Sequence, residues 1–160
     1  MLGLTYLGVF HTLLSLIAVV AGAAALIRNG AIGTRTGLGQ IYVWATVLTC
    51  LTGFGIFQHG GFGKPHTLSI ITLVVIAIAY AAERKWLFSY AARYVATIGY
   101  SLTFFFHVIP GFTETSTRLP AGHPLASGPD DPNLQMAIGA AFVVFLIGVF
   151  FQFRRLRAGR

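Results

Sequence analysis

The chain has 160 residues, 56% of them apolar and 9% charged, against roughly 45 to 50% and about 25% in an ordinary soluble domain. Four acidic and eleven basic side chains cannot cover the surface of a water-soluble fold of this length, so composition excludes one and makes a lipid bilayer the natural solvent. The net charge of +7 does not imply nucleic acid, because Lys and Arg fall between the apolar stretches and in the tail Arg154, Arg155, Arg157 and Arg160 rather than in a patch. The single cysteine, Cys50, excludes an internal disulfide, a CxxCH haem attachment and a cysteine zinc cluster.

A bilayer core about 30 Å thick asks for roughly 20 apolar residues per helix, and five such windows follow in chain order. The first runs from about Leu4 to Ile27; lacking a basic leader and a small-residue cleavage site, it reads as a retained span. In it Gly8, His11, Ser15, Ala18 and Gly22 recur at helical steps, a small, polar stripe that lets another helix approach closely. The second, about Leu38 to Gln58, carries a seam of Thr46, Thr49, Cys50 and Gly53, expected to be packing, with Cys50 an inert buried thiol. A glycine-rich linker leads to the short third span, about His66 to Ala82. Trp86, Phe88, Tyr90 and Tyr94 then read as an interfacial aromatic belt. The fourth span is about Tyr94 to Phe112, with Pro110 near its end, and the fifth about Leu134 to Phe153. Between them lies a linker over residues 113–133 with four prolines, compatible with a tight cap or a mobile strap. The expected architecture is an all-α, polytopic, five-helix transmembrane bundle forming one domain over residues 1–160.

Counting Lys and Arg on alternate sides gives Arg28, Arg35, Arg84, Lys85, Arg93 and the four tail arginines against Lys64 and Arg118. Nine against two predicts an external N-terminus and a cytoplasmic C-terminus in a bacterial inner membrane.

That orientation places all five histidines, His11, His59, His66, His107 and His123, in the outer half. His11 and His107 lie about 10 Å and about 8 Å below the surface, similar depths at which they could face each other. Ionisable groups inside a bilayer are costly and mark functional sites by default. Two imidazoles from two helices suit the axial positions of a b-type haem, with Phe54, Phe57, Phe104, Phe105 and Phe106 available to pack against a porphyrin. His66 is the substitute ligand. Copper, iron or zinc held by His59, His66 and His123 is a second option, although the spacing is no metal signature. The bland alternative is an interhelical hydrogen bond from a neutral His11, worth about 0.6 to 2 kcal/mol, with His59, His66 and His123 ordinary interfacial residues.

Glu114 and Arg118 are four residues apart, placed to pair if the helix continues outward, either as a headgroup-level salt bridge or as ligand-orienting groups together with Tyr100. No acid falls inside the expected spans, which disfavours a carboxylate proton relay. Nucleotide and hydrolase motifs are absent.

The segments GTRTGLGQIYVWATVLTCLTGFGIF, GGFGKPHTLSIITLV and YAARYVATIGYSL leading to ETSTRLP resemble the bacterial membrane-protein family called domain of unknown function 2306. The elements that carry the resemblance are His11, Gly39, Tyr42, His66, Glu114, Arg118 and Pro120. Members often carry a histidine just before span two, where this chain has Arg35, Thr36 and Gly37. The resemblance implies topology and points to His11 and His66, and it implies no reaction.

The leading expectation is therefore a membrane electron-transfer protein with a haem b or metal centre at His11 and His107, exchanging electrons with a quinone or periplasmic partner. The alternatives are a non-catalytic subunit or scaffold in a homo-oligomer or larger complex, and a metal or small-solute permease.

Overall fold

A computed structural model describes residues 5–57 and 61–159. It is all-helical, with α1 at Tyr6–Asn29, α2 at Gly37–Gly53, α3 at Lys64–Glu83, α4 at Ala92–Arg118 and α5 at Pro132–Ala158. Four of these, α1, α3, α4 and α5, are long and apolar enough to cross a membrane. With 17 residues, α2 is about 25 Å long.

Helices α1, α2, α3 and α4 pack in sequence, and α4 returns to α1 to close a ring; α5 lies against α4 outside it. The interior holds small residues and polar aromatics. Ala18, Ala25, Tyr42, Thr46, Ala79, Tyr100 and Thr103 are all fully buried, while Leu13, Ile17, Val20, Val74, Val144 and Ile147 point outward. Such an inverted distribution belongs to a membrane protein, whose packing relies on close backbone approach and internal hydrogen bonds rather than on burial of oil. The expected α1 stripe is part of this interior. At Gly22 a Cβ would stand 2.7 Å from Phe104 Cδ2 and 2.8 Å from Tyr42 Cδ2, so only glycine lets these rings cross α1.

The helix bounds differ from the expected spans for local reasons. Helix α2 stops at Gly53 because Gly55 N–H donates to Thr52 O and Ile56 N–H to Gly53 O, tightening the chain into turns. Helix α4 continues to Arg118 despite Pro110, and α5 runs on into the arginine tail. The following linker is a cap: Ala126 N–H donates to Ser116 O at 2.9 Å and Leu125 N–H to Leu119 O at 3.1 Å, folding it back on the end of α4. Lys64 meets Asp130 at 3.0 Å. Asp131 caps α5, accepting from the Asn133 and Ser127 amides, which hold its carboxyl below the usual carboxylate range.

Candidate functional site

The two ends of the bundle differ. One end, called basic here, gathers Arg28, Arg35, Arg84, Lys85, Arg93, Arg154, Arg155 and Arg157 around Glu83, the single carboxylate side chain there among the described residues. The described histidines belong to the other half.

His107, on α4, is 7% exposed. Its Nδ1 lies 3.3 Å from Ser15 Oγ on α1 and its Nε2 3.0 Å from Thr46 Oγ1 on α2. Tyr42 presents its ring edge-on to the imidazole, 6.1 Å between centroids. Beside it, Thr103 gives its proton to Tyr100 O, so Tyr42 Oη–H donates to Thr103 Oγ1, at 2.8 Å. One imidazole thus joins three helices with both nitrogens engaged.

His11 Nδ1 lies 3.1 Å from Thr52 Oγ1. The Thr52 hydroxyl already donates to Leu48 O and Thr49 O, so His11 is the donor and its Nε2 keeps the lone pair. Because His107 bonds to Ser15, it sits about 6 Å farther along α1 than His11. On α2 their partners, Thr46 and Thr52, are about 9 Å apart. The expected opposition of these rings at one depth is replaced by a stagger.

His66 is 5% exposed, stacked between Phe57 and Phe62 with centroids 5.0 and 5.1 Å away. Its Nδ1 accepts the Gly63 N–H at 3.2 Å, the return bond of an N-terminal capping arrangement. In the neutral ring the proton is then on Nε2, which is buried and has no hydrogen-bond partner among the described residues.

These geometries do not fit the expected haem or metal centre. His107 has no free nitrogen, and a neutral His66 has no free lone pair while it caps α3. His123 is exposed on the linker, and His59 lies outside the described residues. No three His, Cys, Asp or Glu side chains converge among the described residues. The phenylalanines also have other partners: Phe104 packs on Tyr42, and Phe105 on Phe142 and Phe145 of α5.

The other expected site residues have ion-pair or hydrogen-bond partners of their own. Glu114 Oε2 meets Arg118 Nε at 2.6 Å along their own helix, two turns beyond His107. Tyr100 does not orient the histidines: its hydroxyl donates to Glu83 Oε2 at 2.9 Å. Glu83 Oε2 also accepts from Thr34 N–H at 3.1 Å and Thr34 Oγ1–H at 2.7 Å, so one carboxylate ties the α1–α2 loop to α3 and α4. Sequence reasoning missed Glu83 because it stands beside Arg84 and Lys85 and resembles a solvated headgroup-level charge. The signal available was its isolation, a lone acid among the cations of that end.

Compared with protein-family models, with curated proteins and with solved structures, the chain matches none.

Proposed function

We propose that the chain is a non-catalytic bacterial inner-membrane subunit, a rigid bundle on which further copies or a larger membrane complex assemble. The observation that carries this reading is the saturation of His107: a ring whose two nitrogens both face hydroxyls, from Ser15 and Thr46, works as an interhelical fastener. The proposal includes five crossings, with the N-terminus outside and the C-terminus in the cytoplasm. It is supported by the nine-to-two distribution of Lys and Arg and by the packing of α2 along α1 and α3. It also includes kinship with domain of unknown function 2306, on the order of His11, Gly39, Tyr42, His66, Glu114, Arg118 and Pro120 along the chain.

The test is an absorption spectrum and metal analysis of detergent-purified protein, with size analysis of His107→Gln. Colourless, metal-free protein whose His107→Gln variant keeps its assembly is expected. A Soret band that shifts on reduction, or stoichiometric copper, iron or zinc, would overturn the reading.

One observation favours a second reading, in which the outer half serves a quinone. A buried Nε2–H on His66, flanked by two aromatic rings, suits a quinone carbonyl better than a metal ion, because it offers a proton and no lone pair. Quinone analogue binding lost in His66→Phe would support this, and unchanged binding would remove it.

A further inference from the structure

At the basic end the last turns of α1 and α5 meet the first turns of α4 around a cavity of about 250 Å³, lined by Asn29, Gly30, Arg93, Thr97, Gln152 and Arg155 among others. Two helix C-termini bring carbonyl oxygens here, which would repel an anion. At the end of α1, the Asn29 and Gly30 oxygens have donors already. Arg155 Nη1–H donates to Asn29 O at 2.9 Å and Gln152 Nε2–H to Gly30 O at 3.1 Å. Gly30 has φ +71°, and Arg155 Nη1 occupies the space a Cβ would need, so the guanidinium is anchored over the turn that ends α1. The anchoring uses one of its five N–H donors.

Arg93 sits in the first turn of α4, where the helix dipole favours an anion, its guanidinium 5.6 Å from the Tyr94 ring centroid. Among the described residues no carboxylate lines the cavity. The one acid of this end, Glu83, lines a different cavity with Thr34, Arg35, Arg84 and Lys85, and there its charge opposes an anion. Below the arginines, α5 exposes Phe150 and Phe153, and the α3–α4 loop exposes Trp86 and Tyr90, side chains suited to acyl chains and to the headgroup level.

We propose that Arg93 and Arg155 bind the phosphodiester headgroup of an anionic phospholipid from the leaflet facing the basic end. Guanidinium groups match phosphate oxygens in paired hydrogen bonds, and basic cavities between transmembrane helices are suited to anionic headgroups. The site does not depend on the chain's being a non-catalytic subunit.

The full chain in nanodiscs of phosphatidylglycerol mixed with phosphatidylcholine, followed by native mass spectrometry of retained lipid, tests this. Phosphatidylglycerol is expected to be retained in preference to phosphatidylcholine, with the preference falling roughly fivefold in Arg93→Gln and further in the Arg93→Gln, Arg155→Gln pair. Among the described residues the Arg93 side chain contacts the Tyr94 ring and makes no hydrogen bond, so its variant stays informative if Arg155→Gln unfolds. Arg84→Gln, at the neighbouring cavity, is expected to keep the preference. Equal retention of the two lipids, an equal loss in Arg84→Gln, or equal stabilisation of detergent-solubilised protein by inorganic phosphate would each overturn the assignment.

Discussion

His107 in the interior and Glu83 at the basic end both gather hydroxyls from other parts of the chain, but by different means. The imidazole shares neutral hydrogen bonds with Ser15 and Thr46, whose hydroxyls have an alternative in the carbonyl oxygens of their own helices. Glu83 is an anion at the membrane edge receiving three donors on one oxygen, from Thr34 and Tyr100. Hydrogen bonds to an ionised acceptor are about twice as strong as neutral ones, and Tyr100, fully buried, has no comparable acceptor to turn to. The comparison teaches that the bundle is clamped most firmly at its rim, with the interior contacts setting register.

The largest effect should therefore come from Glu83→Ala. Losing a charged acceptor for three donors is expected to cost about 3 kcal/mol, read as a fall in the midpoint of unfolding in mixed micelles. A loss smaller than that of His107→Phe would reverse the comparison. Gly22→Ala comes next: a Cβ within 3 Å of Phe104 and Tyr42 forces both rings to shift, for roughly 2 kcal/mol in the same assay. His107→Phe keeps the volume and removes both hydrogen bonds, and a loss of about 1 kcal/mol is expected. His107→Gln should recover part of it.

Smaller effects lie outside the membrane. The Asp131 carboxyl has its folded value lowered by the Ser127 and Asn133 amides, so its contribution is present above the ordinary carboxyl value of about 3.9 and is lost as pH falls through the folded value. Amide exchange at Ser127 and Asn133 should accelerate in acid below that range, and Asp131→Asn should remove the pH dependence. Smallest of all is Lys64→Ala. Its pair with Asp130 is 83% exposed on both sides, and stability should change by less than about 0.5 kcal/mol.

Much of this was legible in the residues. Runs of apolar side chains separated by Gly, Pro and Arg located all five helices, and the spacing of Gly8, Ser15, Ala18 and Gly22 identified the face of α1 that turns inward. The ends were less legible: α2 stops early at the turns after Gly53, and α4 runs on to Arg118 through Pro110, an interior proline of the kind that usually kinks or ends a helix. The chemistry of the interior was legible as residue types and not as pairings. Thr46 read as part of a packing seam, yet it bonds His107; Tyr100 read as a neighbour of the histidines, yet it reaches Glu83. Periodicity tells which face a side chain occupies, whereas the stagger of His11 and His107 depends on how far one helix slides along another. One turn of slide, about 5.4 Å, separates facing rings from staggered ones.

The central claim is that His107 fixes the register of α1, α2 and α4 through its hydroxyl partners. A double-mutant cycle on Thr46→Val and His107→Phe, with unfolding in mixed micelles as the readout, tests it most directly. The account predicts a coupling of about 0.6 to 1.7 kcal/mol, the double variant being little less stable than His107→Phe alone. Strictly additive losses would contradict it.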